Sequence, residues 1–332
     1  MDTYEAPDSP FPRTVRSLLN PLSIAATVGM FVVLVMGATV TNTGSAEGCG
    51  RSWPLCNGQL IPEFAVSTLI EFSHRAVTGI ETVLILALAV SAWLVYRRSV
   101  EIRVLVILMV AGLFLQAGMG AWAVLYPQSP LVLAMHFGIS LVAFASVLLA
   151  TTSIHAAQNG RGLRDHQVSR AYVWTTWGAM LFTLIVVYLG AYVRHANYVG
   201  ACVDWPLCNG QLIPPLWGAV GVMFAHRLAA FVDVLLLGVV AAWSWRLRRE
   251  RPDLANGAAA TFALIVLQSL SGAFVVGTGL GLWSALTHAG IMALLFGSLC
   301  YVCLGVLPAA SDVEDALRAG QSARRVASPR LG

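Results

Sequence analysis

The chain has 332 residues, 58% hydrophobic and only 11% charged, with a net charge of +4 and a mean hydropathy of +0.75. Soluble domains carry about 25% charged residues, so a pair of soluble domains is excluded, and the apolar content along the whole chain excludes disorder. Six cysteines are too sparse for a secreted disulfide scaffold, and all 20 basic residues are Arg, all but Arg75 and Arg227 outside the apolar runs, which fits membrane topology and not a nucleic-acid-binding face.

Residues 1–21 are polar and Pro-containing, lack a cleavable signal pattern and read as a cytoplasmic arm. Eight apolar runs follow, near 22–43, 66–95, 104–125, 131–154, 171–193, 216–245, 257–279 and 284–307. Each is long enough to cross a hydrocarbon core of about 30 Å. The fold class expected is therefore an all-α polytopic membrane protein with eight transmembrane helices.

Between the first and second runs lies a loop with Cys49 and Cys56, and the second run carries Glu71, His74, Arg75 and Glu81. The third run holds Gln116 and the fourth His136. After a linker over 156–170 the pattern starts again: the ten residues from Trp53 to Pro62 recur identically from Trp205 to Pro214, 152 positions later. The same offset takes His74-Arg75 to His226-Arg227, His136 to His288, Gln116 to Gln268 and Glu81 to Asp233. The chain reads as two pseudo-symmetric four-helix bundles, 22–155 and 171–307, followed by a cytoplasmic tail over 308–332. Each half has an even number of spans, so the two share one orientation about an axis along the membrane normal.

With the N-terminus inside, the inner segments hold 16 Arg (13, 16, 97, 98, 103, 161, 164, 170, 246, 248, 249, 251, 318, 324, 325 and 330) and the outer loops only Arg51 and Arg194. This asymmetry puts both termini in the cytoplasm of a cell whose plasma membrane the chain spans.

An imidazole inside a span needs a partner and is a candidate functional group; its bland alternative is a hydrogen bond between helices. Counting 1.5 Å per residue, His74 lies about 12 Å and His136 about 8 Å below the outer helix ends, and His226 and His288 repeat this. Two imidazoles at similar depth on two helices of a bundle suit the axial ligation of a haem iron; zinc or copper normally takes a third protein ligand. His155, His166 and His195 lie outside the pattern and read as surface residues. Arg75 and Arg227, next to the ligand candidates, suit bidentate contact with haem propionates, with snorkelling to the outer surface as the alternative. Glu81 and Asp233, two turns deeper, suit proton transfer or helix packing.

Cys49 with Cys56 and Cys202 with Cys208 suit local disulfides on an oxidising face; a four-Cys zinc site is the alternative. Cys300 and Cys303, inside the last run, suit packing. The halves differ at one telling place. Glu71 stands one turn before His74, whereas its repeat mate is Met223, so only one pocket has a carboxyl beside its ligand.

The eight spans, the repeat, the paired loop cysteines, the Glu-x-x-His-Arg of Glu71 to Arg75 and a later His in each half resemble the haem A synthase family over about 22–307. The resemblance implies an oxidoreductase that converts a methyl group of haem O to a formyl group by successive hydroxylations, giving haem A for cytochrome oxidase. It implies haem O at His74 and His136, with Arg75 beside it and Glu71 catalytic, and a haem b cofactor at His226 and His288, with Arg227 beside it. It also implies haem O synthase and cytochrome oxidase assembly factors as partners, an electron donor, and surrounding lipid, with no nucleic acid. The competing readings are a di-haem b-type electron carrier without chemistry of its own, and a transporter built from parallel repeats.

Overall fold

The computed structural model describes residues 13–308 apart from 64, 98, 127 and 160–167. The tail over 308–332 beyond Pro308, most of the linker, Arg98, Arg161, Arg164 and His166 lie outside the described residues. In lipid each backbone N–H and C=O has to be satisfied within the chain, which favours continuous helices over apolar runs. Among the described residues eight α-helices form: α1 (Arg13–Asn42), α2 (Val66–Val95), α3 (Val100–Leu125), α4 (Pro130–Gln158), α5 (Arg170–His195), α6 (Gly218–Arg246), α7 (Pro252–Gly277) and α8 (Leu282–Gly305). All eight are long and apolar enough to span a membrane, and no named strand occurs among the described residues.

Local signals mark several starts. The hydroxyls of Ser99 and Ser169 accept the Ile102 and Tyr172 N–H groups at the starts of α3 and α5. Proline occupies the first turns of α4 and α7, where a missing N–H costs nothing. One boundary departs from expectation. α1 begins at Arg13, well inside the segment read as an arm, because its first turns dock on the end of α4. Leu19 is buried, Gln158 Nε2 donates to the Arg16 carbonyl at 2.6 Å, and Asn20 meets His155 at 3.2 Å.

Helices α1 to α4 close into one ring of neighbours and α5 to α8 into another; α1, α4, α5 and α8 form the seam between the rings. The seam is packed with small residues, which let helix backbones approach. At Gly297 a side-chain carbon would lie 2.6 Å from Leu148 Cδ2. Phe31 and Phe144 fill the centre with ring centroids 6.2 Å apart. A cavity of about 500 Å³ opens between α4 and α5, lined by Leu131, Met135, Ile185, Tyr188 and Tyr192.

Two loops cover the same end of the bundle, one on each ring. In each, a cysteine exchanges both backbone hydrogen bonds with a glutamine three residues on (Cys56 with Gln59, Cys208 with Gln211). The two residues between them, Asn57-Gly58 and Asn209-Gly210, have φ values of 50° and 77°, and 55° and 75°. Asn-Gly tolerates that left-handed pair, which is why the motif makes a tight hairpin turn twice.

Candidate active site and its counterpart

Cys49 pairs with Cys56 and Cys202 with Cys208, with Cα separations of 4.4 and 4.7 Å. These two bonds consume all four thiolates that a shared zinc site would need, which sets that alternative aside. The cysteine spacings, 7 and 6, also correct the repeat register. Upstream of the loops the halves are related by 153 positions, so that Cys49 matches Cys202, and only downstream by 152. The counterpart of His195 is therefore Asn42, one position before the Thr43 that an offset of 152 gives.

Each of the four span histidines lies on the second or fourth helix of its ring with its ring against a glycine of the preceding helix. A side-chain carbon at Gly37, Gly120, Gly190 or Gly272 would meet Cε1 of His74, His136, His226 or His288 at 3.3, 3.7, 2.6 or 3.4 Å respectively. His74 and His226 lie about 12 Å from the loop-side ends of their helices and His136 and His288 about 9 Å. Within each ring the two imidazoles are close enough to interact electrostatically. Nδ1 of His74, His136 and His226 has no hydrogen-bond partner among the described residues. Two imidazoles at similar depth on two helices of a closed bundle form a donor set that fits the two axial positions of a haem iron.

Glu71 is 4% exposed, one turn nearer the loop than His74. Its Oε2 accepts the Cys49 N–H at 2.8 Å and its Oε1 accepts from Arg75 Nη2 at 2.5 Å. Because His74 Nδ1 has no hydrogen-bond partner among the described residues, Glu71, which is one of them, does not act on the ring through that nitrogen. Arg75 Nη1 donates to the carbonyls of Ser52 and Leu55 at 2.7 and 2.9 Å. The second half repeats this strap: Arg227 Nη1 donates to the carbonyls of Asp204 and Leu207, and Nη2 to that of Cys202. Both arginines therefore reach toward the loops and tie them down, a task not anticipated from sequence. Where Glu71 would be, Met223 is buried in a small cluster with Cys202, Cys208 and Val193. A carboxylate thus contacts the first loop's backbone, and a thioether packs beneath the second.

The second loop has a carboxylate of its own, on the loop itself. Asp204 accepts the Asn209 and Gly210 N–H groups at 2.6 and 2.7 Å, and the Gly210 bond first of all holds its pKa below the ordinary value. Ser52 is its counterpart.

His155 is exposed, as expected. His195 is not: it is half-buried at the end of α5 and within electrostatic range of His136. The adjacent Arg194 crosses the seam to Asn42 Oδ1 at 2.9 Å and the Thr41 carbonyl at 3.1 Å, which draws this end of α5 over the first ring. Glu81 and Asp233 are buried at mid-helix. Glu81 enters the α1–α2 contact beside Gly29, where any side chain would collide with it, and Asp233 accepts from Thr183 at 2.9 Å. One oxygen of each is unpartnered among the described residues. Cys303 is buried and Cys300 partly so, both as free thiols.

Residues 21–300 match the model of the COX15-CtaA family, described as cytochrome oxidase assembly protein. Haem A synthase of Symbiobacterium thermophilum is 42% identical over 298 residues, covering 87% of this chain and 96% of the relative. Those of Bacillus licheniformis and Geobacillus thermodenitrificans are 40% and 39% identical, covering 86% and 92% of this chain and 95% and 96% of each relative. The chain belongs to the haem A synthase family. The matched span contains both disulfide loops, Glu71 and all four span histidines, so family membership extends over both halves. It makes the molecule a membrane oxidoreductase in the context of cytochrome oxidase, with haem at the centre of its chemistry.

Proposed function

We propose that the two histidine stations do different work in a haem A synthase reaction. His74 and His136 hold the iron of the substrate haem O, a methyl group of which is oxidised through successive hydroxylations to a formyl group. His226 and His288 hold haem b, which supplies one-electron redox chemistry when bound. The observation that carries this division is the buried Glu71, fixed beside His74 by the Cys49 N–H and Arg75, with Met223 at the matching place.

Glu71 is a preformed anionic acceptor beside the substrate station. It stabilises positive charge that develops at the oxidised carbon and accepts protons released there. Arg75 and the first loop hold it in place and cover the station from water. Each guanidinium keeps Nε–H and one Nη2–H free of the loop carbonyls, and these donors suit a haem propionate at Arg75 and Arg227. Arg-rich segments at the end opposite the disulfide loops support cytoplasmic termini and stations near the outer face of the plasma membrane. Haem O synthase as supplier, assembly factors as recipients, an electron donor and surrounding lipid complete the proposed context.

The test is chromatography of extracted haems after co-expression with a source of haem O. Haem A is the expected product. A chain that binds haem but yields only haem O and haem b is an electron carrier, and the reading is overturned.

A further inference from the structure

Gln116 and Gln268 are repeat mates, each on the helix before the later histidine, yet they are used differently. In the first half Gln116 Nε2 donates to the His136 carbonyl at 3.2 Å, and Ser140 Oγ lies 2.8 Å from Gln116 Oε1. The amide is tied to backbone and hydroxyl, and the His136 Nδ1 has no partner among the described residues. In the second half the place of Ser140 is taken by Met292, and Gln268 Nε2 lies 3.1 Å from His288 Nε2. Ser271 stands where the first half has Met119. Its hydroxyl donates to the Gln268 carbonyl at 2.8 Å and lies 2.8 Å from His288 Nδ1.

A serine has one proton to give. The Gln268 amide N–H can only donate, so His288 Nε2 accepts and Nδ1 carries the ring proton, which goes to the Ser271 oxygen while the serine proton goes to the Gln268 carbonyl. That tautomer puts the ring's lone pair on Nε2, where Gln268 now donates to it and an iron would take the place of that bond, while the Nδ1–H bond fixes the ring orientation in the way that supports metal-bound imidazoles. The glycine contacts run the same way. Clearance is 2.6 and 3.4 Å in the second half against 3.3 and 3.7 Å in the first, so the second-half rings have less room to move.

We propose that these two serine–methionine exchanges separate a haem that stays from a haem that leaves. Ser271 is a positioning residue that makes His288 a permanent axial ligand. Met119 and Ser140 leave the His136 imidazole unanchored, so that substrate can enter and product depart. This rests on the division of roles proposed above.

The test uses full-length protein loaded with haem b and follows transfer of haem to excess apomyoglobin, with the visible spectrum and reduction potential of what remains. Loss of such a support typically costs about 10- to 100-fold in affinity. Ser271→Ala is expected to speed loss of the second-half haem by about that factor and raise its potential, and Ser271→Thr to restore both. Met119→Ser, which removes no polar contact, is expected to slow release from the first half. Wild-type rates and spectrum in Ser271→Ala, or a Ser271→Thr protein as leaky as Ser271→Ala, overturn the anchoring role. Unchanged release in Met119→Ser overturns the asymmetry. His288→Ala distinguishes the two layers: full retention of the second-half haem there defeats the assignment of roles itself, whereas loss there with no effect of Ser271→Ala defeats only the anchor.

Discussion

Glu71 is held by two hydrogen bonds of different kinds, one to a backbone N–H of the loop and one to a guanidinium, and its variants separate position from charge. Glu71→Gln keeps an acceptor for Cys49 and loses the anion. We expect a folded protein with normal second-half haem, haem A formation down by about 100-fold or more, and accumulation of haem O or a hydroxylated intermediate on chromatography. Glu71→Ala also leaves the Cys49 N–H unpaired, at a cost of about 1–3 kcal/mol, so its thermal midpoint falls below that of Glu71→Gln. Met223→Glu creates no second active site, since the haem b proposed there has no role as substrate. The glycine cradles give a second contrast at this scale. Gly190→Ala puts a carbon 2.6 Å from His226 and displaces the ring, whereas Gly120→Ala meets His136 at an ordinary 3.7 Å. The haem-to-protein ratio should fall in the first and hold in the second. Glu71 and the histidines were legible in sequence because charge and imidazole stand out in apolar runs; their glycine partners were not, since glycine is common in such helices and only the packing tells which ones face a ring.

At the scale of elements, the loops were half legible. Paired cysteines pointed to two local disulfides, whereas the hairpin turns at the repeated Asn-Gly emerged only in the structure. The straps from Arg75 and Arg227 were hidden, because their acceptors are backbone carbonyls, which every residue carries. The one-residue difference in register was hidden too, since the identical segment lies downstream of it, and an offset of 152 therefore misses Asn42 as the counterpart of His195. The loops should also differ in their response to acid. Asp204 has a lowered pKa from its bonds to Gly210 and Asn209, so its contribution is complete above the ordinary aspartate value and is lost as pH falls through the depressed one. Protection of the Asn209 and Gly210 amides against hydrogen exchange, corrected for intrinsic rates, should drop over that acidic window. Asp204→Asn should remove the pH dependence, and the first loop, with Ser52 in that place, should show none from this source.

For the whole molecule, the number of spans and the pairing of halves followed from hydropathy and the repeat, while the early start of α1 did not, because it depends on docking against α4. The proposed orientation makes a direct prediction. After mild reduction of intact cells, a membrane-impermeant maleimide should label peptides containing Cys49, Cys56, Cys202 and Cys208 and spare Cys300 and Cys303; protection of the loop cysteines would reverse the assigned sidedness.

The matched depths of the four histidines carry one more consequence, for energetics. Moving a charge across a membrane potential involves about 2.3 kcal/mol per 100 mV, but only the component of the path along the membrane normal counts. His74 and His226 lie equally far from the loop-side ends of parallel repeats, as do His136 and His288, so charge passing from one station to the other travels sideways, in the plane of the bilayer. That transfer does no work against the electric field. Haem A formation in sealed vesicles should accordingly proceed at the same rate under a potassium diffusion potential of either sign. A rate that follows the potential would place a charge-moving step on a route across the membrane that these two stations do not provide.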